Sequence, residues 1–176
     1  MSRPSKNKKV IGWREWVSLP DLGVKKIKAK IDSGARTSSL HAFDLEFFSK
    51  KGKEYVRFEV HPFQKNDKKS VKAQAEIVEY RNIKSSNGQV ARRPVIITMI
   101  ELLDESWPIE ITLSNRDEMS FRMLLGRESF RKKFLLDAGS SYFGEKNAKK
   151  AIAKRGLKTN KNTNKKIKKK VKKKLV

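Results

Sequence analysis

Cysteine is absent from this 176-residue chain, and histidine occurs only twice, at His41 and His61. Disulfide frameworks, thiol nucleophiles, zinc ribbons and iron–sulfur clusters are thereby excluded. A cysteine-free chain suits a reducing compartment, and a cytoplasmic location is the expectation. Acidic residues are few: 19 Asp and Glu stand against 43 Lys and Arg, a formal net charge of +24. The longest apolar run covers residues 95–100 with Thr98 inside it, far short of the ~20 residues that cross a bilayer. No membrane contact is expected. Residues 1–9 are charged and lead into no apolar stretch, so no secretory leader is expected either. A glycine-rich phosphate loop ending in Lys-Ser or Lys-Thr is missing, as is a His-Glu-x-x-His helix. The chain therefore offers nothing to hold ATP or catalytic zinc in the usual ways, and no cofactor is expected. His41 and His61 with Asp44 or Glu59 form at most an incomplete ligand set, since open metal sites draw on three protein ligands.

The positive charge is concentrated at the ends. Residues 146–176 hold fifteen Lys or Arg and no acid, and residues 1–9 hold four more. The stretch 10–145 has 24 basic and 19 acidic residues, an ordinary mixed surface on a length that can bury one core. Three parts follow: a basic arm 1–9, one folded domain 10–145, and a lysine-rich tail 146–176. Self-repulsion and sparse apolar residues predict a disordered tail. It contains no aromatic residue, so it has no device for reading bases. Ribosome or RNA contact through it would be electrostatic tethering.

Strand signals dominate the domain. Ile27, Ala29 and Ile31 alternate with Lys26, Lys28 and Lys30, a period of two with one buried and one wet face. Val56, Phe58 and Val60 alternate with Tyr55, Arg57 and Glu59 in the same way. Residues 77–83, 90–100 and 109–113 also read as strands. Asn87-Gly88 between two extended runs is a hairpin signal. One helix is expected from Arg127 to about Phe134, where Phe130 and Phe134 would share a face. The bulk of Trp13, Trp16 and Trp107 places them in a core or an interface.

The first strand runs straight into Asp32-Ser33-Gly34-Ala35. A carboxylate at a strand end can be held at the floor of a cleft, and Gly34 permits a tight turn after it. Ser33 can hydrogen-bond within the loop. The same residue types also make ordinary turns, so the motif needs its context.

That context is a resemblance. Ile31-Asp32-Ser33-Gly34-Ala35-Arg36-Thr37-Ser38-Ser39-Leu40 resembles the catalytic loop of retropepsins, and Met123-Leu124-Leu125-Gly126-Arg127-Glu128-Ser129-Phe130 resembles their later signature. More widely, residues 10–141 resemble a bacterial group of retropepsin-like proteins often labelled ATP-dependent zinc proteases. The matching segments include Ile11-Gly12-Trp13-Arg14-Glu15, Phe58-Glu59-Val60-His61-Pro62 and Trp107-Pro108-Ile109-Glu110-Ile111-Thr112-Leu113.

The resemblance implies an all-β, closed acid-protease barrel with one short helix. It implies peptide hydrolysis by two aspartates, one from each protomer of a C2 homodimer, because this chain has a single Asp-Ser-Gly motif. Two adjacent carboxylates share one proton; one activates water and the other protonates the carbonyl oxygen. In this reading Asp32, Ser33 and Gly34 form the catalytic motif, with Gly126 and Arg127 supporting its loop. Ala35, Arg36, Thr37 and the hairpin residues Arg81, Arg92 and Arg93 would contact substrate. The basic Arg36 would favour an acidic peptide; equally, it could make an ion pair with Glu15 or Glu128. The bacterial group is associated with the ligase that adds glutamates to a ribosomal protein, which makes a glutamylated tail the implied substrate. Asp117, in Asn115-Arg116-Asp117-Glu118, is either a second cleft carboxylate or part of a charged turn, and His41 could order the catalytic loop. The rival to a peptidase is a non-enzymatic ribosome- or RNA-associated binding module.

Overall fold

The structure is a computed structural model, and it describes residues 8–63, 70–84, 88–115 and 121–145. Chain contacts divide it into two units, 1–142 and 143–176; the fold below is that of the first. The lysine-rich stretch 146–176 and Asp117 lie outside the described residues.

Among the described residues of the first unit, twelve strands and one short α-helix follow each other. They are β1 (Lys9–Gly12), β2 (Arg14–Leu19), β3 (Val24–Asp32), β4 (Ser38–His41), β5 (Phe43–Lys50) and β6 (Lys53–Val60). After them come β7 (Val71–Glu76), β8 (Glu79–Lys84), β9 (Val90–Leu102), β10 (Glu105–Ser114), β11 (Met123–Gly126), α1 (Arg127–Phe130) and β12 (Phe134–Asp137). In the largest sheet the order is β10-β4-β11-β3-β2-β9, and β9 pairs again with β10. Six strands thus close on themselves into a barrel, which leaves no open edge within the ring. This is the all-β closed barrel that the resemblance implied.

Alternation explains why these strands face as they do. Along β3, Ile27, Ala29 and Ile31 point into the core while Lys26 and Lys30 stay exposed. Leu40, Ile96, Ile100, Ile111, Leu113, Met123 and Leu125 complete the interior. A three-stranded sheet, β5-β6-β7, packs its Val56, Phe58 and Val60 against the same core. The turn from β2 to β3 is a single 3-10 turn, Pro20–Leu22, closed by Gly23 at φ +69°, a conformation that suits glycine. Asp21 Oδ2 accepts a hydrogen bond from the Met99 N–H at 2.8 Å and ties this turn to β9.

β9 is the longest strand because it serves three partners, meeting β2 at Glu101 as well as β10 and β8. Residues 95–102 pair with β10, and residues 90–95 pair with β8. The β8–β9 pair therefore extends the sheet past the closed ring as a hairpin, in the position that Asn87-Gly88 suggested.

Two expectations need correction. The helix ends at Phe130; Phe134 belongs to β12, which pairs in parallel with β1. Phe130 and Phe134 are both buried, so shared burial looked like helical spacing. The strand expected over 77–83 begins only at Glu79. Ile77 and Val78 form the link from β7, held by Ile77 N–H to Glu54 O and Val78 N–H to Val95 O. Of the three tryptophans only Trp107 is buried in the core. Trp16 lies half-buried on the outer face, stacked on Tyr142 with ring centroids 6.1 Å apart.

No helix among the described residues is long and apolar enough to cross a membrane.

Candidate active site

Asp32 ends β3, and Gly126, at the end of the parallel strand β11, stands directly opposite it. The chain leaves Asp32, crosses over Gly126 through residues 33–37 and returns as β4. This crossing is possible only because position 126 has no side chain. A Cβ there would lie 2.6 Å from the Thr37 carbonyl carbon and 2.7 Å from the Arg36 oxygen, both backbone atoms.

The residues after Gly126 fasten the loop from behind. Arg127 N–H donates to Ala35 O at 2.8 Å, and Glu128 N–H donates to Arg36 O at 3.3 Å. The Arg127 guanidinium reaches Gly34 O at 3.0 Å and Ser33 O at 3.5 Å. Ser38 Oγ accepts from Gly126 N–H at 3.1 Å and lies 2.7 Å from Ser129 Oγ. Thr112 donates to Ser38 O at 3.0 Å, and Trp107 Nε1–H donates to Ser129 O at 2.8 Å. The bonds of Ser38 to Gly126 and Thr112 are buried, and a satisfied buried network rigidifies what it surrounds. Arg127→Gln removes the fork beneath the loop and is expected to lower stability by about 1–2 kcal/mol. Arg131→Gln, which breaks only an exposed pair with Glu128, should cost less than about 0.5 kcal/mol. Urea denaturation of the two variants checks the contrast.

The carboxylate itself is held on one side only. Asp32 Oδ1 accepts from the backbone N–H groups of Gly34 and Ala35, each at 3.0 Å. Oδ2 lies 3.8 Å from Lys30 Nζ, and the side chain is 26% exposed. The loop thus fixes one oxygen and presents the other. Ser33 is exposed; the bonds that orient Asp32 within its own loop come from backbone rather than from the Ser33 hydroxyl.

A second loop repeats this build. β12 ends at Asp137, opposite Gly12 on parallel β1. Asp137 Oδ1 accepts from Gly139 N–H at 2.9 Å. A Cβ on Gly12 would meet Ser140 C and Ser141 Cα, each at 2.7 Å. The signal was present in the sequence as Leu135-Leu136-Asp137-Ala138-Gly139, apolar residues leading into Asp-x-Gly. Without the pairing with Gly12 it could not be told from a turn.

Beside the Asp32 loop opens a cleft of about 600 Å³ whose walls include Arg36, Thr37, Glu79, Arg81, Glu110 and Glu128. Arg81 Nη1–H donates to Thr37 Oγ1 at 3.4 Å, which joins the hairpin to the loop. Its Nη2 pairs with Glu110 at 2.8 Å and also with Glu79. The hydrogen bond to Glu110 is the main reason the Arg81 guanidinium holds its proton more tightly than usual; the Glu79 bond adds to it against burial. Three carboxylates against two guanidiniums leave this cleft without positive excess. No ion pair of Arg36 with Glu15 or Glu128 occurs among the described residues; Glu128 pairs with Arg131 at 2.8 Å. Glu15 is buried, and its Oε1 accepts from Gly12 N–H at 2.8 Å. Arg93 faces Arg81 across the hairpin and is buried. Arg92 is exposed and lies over the Tyr80 ring at 4.3 Å.

His41 ends β4 and is fully buried, edge-on to Phe43 at 4.1 Å, with His61 at 4.2 Å on that same ring. It is not among the residues that line the cleft. Among the described residues no group of three or more His, Asp or Glu is gathered as a metal site.

Comparison with known proteins agrees with this geometry. Residues 10–147 match the RimB-like family, described as retropepsin-like aspartic endopeptidase RimB. A probable alpha-L-glutamate ligase of Shewanella pealeana is 46% identical over 158 residues, 89% of this chain and 34% of that protein. A protein of the same description from Desulfotalea psychrophila is 48% identical over 130 residues, 74% of this chain and 28% of that protein. The chain thus spans about a third of the length of the curated relatives it matches. A crystal structure of a Legionella pneumophila subsp. pneumophila protein of unknown function superposes with a TM-score of 0.66 at 28% identity, covering 78% of this chain and 98% of that one. With the match running through both the Asp32 loop and the Gly126–Arg127 backing, the chain belongs to the RimB-like family of retropepsin-like aspartic endopeptidases.

Proposed function

We propose that this chain hydrolyses peptide bonds in acidic, glutamate-rich segments, with Asp32 from each of two protomers forming the catalytic dyad. The observation that carries the reading is the state of Asp32. One carboxylate oxygen is bound by two backbone N–H groups, the other is presented, and the loop is clamped from behind by Gly126 and Arg127. Such a carboxylate is positioned to act on a water without reorganising, the geometry that general base catalysis requires. One presented carboxylate is only half of an aspartic site. The second comes from a symmetry-related Asp32, and the pair holds a single proton between them. The dyad-bound water attacks the scissile carbonyl carbon while the protonated partner gives its proton to the carbonyl oxygen. As the tetrahedral intermediate collapses, the aspartate that took the water's proton passes it to the leaving nitrogen and the other regains a proton from the hydroxyl, so the C–N bond breaks with a neutral amine leaving and the dyad again holding one proton. Ser33 and Gly34 complete the loop, Ala35, Arg36 and Thr37 lie along the entry to it, and the β8–β9 hairpin with Arg81, Arg92 and Arg93 closes over the substrate.

The glutamate-rich substrate is supported by the relatives. Proteins named as probable alpha-L-glutamate ligases carry a stretch nearly half identical to this chain. A peptidase module beside a glutamate-adding one suggests trimming of glutamylated tails, such as those on a ribosomal protein. The test is cleavage of a peptide ending in six glutamates against the same peptide ending in six glutamines. Faster release of glutamate-containing product, with specific activity that rises with protein concentration, is expected. Equal rates on both tails would remove the acidic preference. Binding without any cleavage would favour the non-enzymatic module.

A further inference from the structure

The wet face of β3 carries Lys26, Lys28, Lys30 and Asp32 at alternate positions, because Ile27, Ala29 and Ile31 take the core face. The row therefore ends at the candidate catalytic carboxylate, and its last member lies 3.8 Å from it. The neighbouring strand adds to the row. Arg14 stands opposite Lys30, and Trp16 stands opposite Lys28. Lys26 Nζ lies 4.3 Å and Lys28 Nζ 5.2 Å from the centre of the Trp16 ring. Lys28 Nζ is also 5.8 Å from the Tyr142 ring that stacks on Trp16. Arg14 sits over Tyr142 at 5.1 Å and over Trp13 at 4.5 Å. Cation–π contacts of this kind hold flexible ammonium groups in place, which lowers the ordering cost of a later ion pair.

We propose that this lysine row is the recognition track for the glutamates of an extended acidic peptide, leading away from Asp32 along the outer face of β3. The proposal rests on the peptidase reading and supplies it with an anion receptor that the neighbouring cleft does not provide. In that cleft Arg36 and Arg81 face Glu79, Glu110 and Glu128, whereas along the β3 row Lys26, Lys28, Lys30 and Arg14 outnumber Asp32, which lies 3.8 Å from Lys30. The spacing fits. Alternate residues of a strand stand about 6.7 Å apart, and so do alternate glutamates of an extended peptide. Successive carboxylates on one side of the peptide thus meet Lys30, Lys28 and Lys26 in step.

The row also has an end. Beyond Lys26 the charge is mixed: Glu101, Asp104 and Glu105 line the next depression together with Lys25 and Lys26, and Glu105 is paired with Lys9 at 2.9 Å. A tail longer than the row meets no further run of lysines there and gains little from its extra glutamates. Affinity is expected to rise over the first ~5 glutamates, the span of three alternate contacts, and then level off.

The test is fluorescence anisotropy of labelled peptides bearing one to eight C-terminal glutamates, with the full chain carrying Asp32→Asn to prevent turnover. Lys28→Gln and Lys30→Gln should each weaken binding about three-fold, and together about ten-fold, as expected for partly exposed pairs. The control Lys50→Gln/Lys132→Gln removes the same charge elsewhere and should leave binding within about 1.5-fold. Equal binding by the β3 double variant and the control would overturn the track. So would a single-stranded RNA of equal charge binding more tightly than the glutamate peptide and losing most from the β3 substitutions, which would make the row a nucleic-acid surface. The two readings separate in parallel assays without Asp32→Asn. If glutamate tails are cleaved with unchanged KM in Lys28→Gln/Lys30→Gln, the track fails and the peptidase stands. If binding depends on the lysines but nothing is cleaved, the track stands and the peptidase fails.

Discussion

Asp32→Asn is expected to lower peptide hydrolysis by at least about a thousand-fold while the fold stays intact. The first half of this expectation is chemical. An amide cannot take a proton from water or share one with a facing carboxylate, and proton transfer alone contributes about 10²–10⁴ to such reactions. The second half is structural. The asparagine oxygen can still accept the N–H groups of Gly34 and Ala35 that Asp32 Oδ1 accepts at 3.0 Å. What is lost is the 3.8 Å pair with Lys30, whose side chain is 47% exposed, and such pairs contribute less than about 1 kcal/mol. Thermal unfolding of the variant should therefore match the native protein within about 3 °C. Asp137→Asn is the internal control, since Asp137 sits in a loop of similar build. It should keep most of the hydrolysis; equal loss in both variants would show that the two loops act together.

Gly126→Ala should have the largest effect on folding. The added methyl meets Thr37 and Arg36 backbone atoms at 2.6–2.7 Å, so no side-chain rotation relieves it. Either β11 moves away from β3, breaking the register that sets Gly126 against Asp32, or the loop lifts from its bonds to Arg127 and Glu128. Overpacking of this kind costs about 3 kcal/mol, which corresponds to a fall in melting temperature of about 10 °C in a domain of this size. Activity should fall further than stability, because the loop that lifts is the one that carries Asp32. Differential scanning calorimetry with peptide hydrolysis measures both. A variant that melts and cleaves like the native chain would mean that the crossing is looser than its geometry implies.

The sequence carried some of this openly. Alternation made β3 and β6 legible, since each has one buried face and period two survives without any knowledge of partners. Asn87-Gly88 located the β8–β9 hairpin because its turn chemistry is local. Short strands were illegible for the opposite reason. β1, β4 and β12 have four residues each, and β4 is buried on both faces, so it shows no alternation. They exist because a parallel partner pairs with them, and that partner is distant in sequence. The same holds for Gly126: the motif drew attention to it, yet the reason for glycine appears only when residues 36 and 37 pass over it. Arg81 illustrates the limit for the site. Its charge suggested an anion contact, whereas the fold places Glu79 and Glu110 against it. The lysines of β3 looked like the wet face of a strand leading into Asp32 until the sheet set Trp16 beside them.

The most direct measurement mixes native protein with the Asp32→Asn variant in equal amounts, allows subunits to exchange, and compares hydrolysis with the same total amount of native protein. If the two aspartates of the dyad come from two protomers, only native–native pairs work, and activity should fall to about a quarter by random pairing in a C2 dimer. Activity of about half would mean that each chain carries a complete site of its own, which would contradict a dyad built from one Asp32 per protomer.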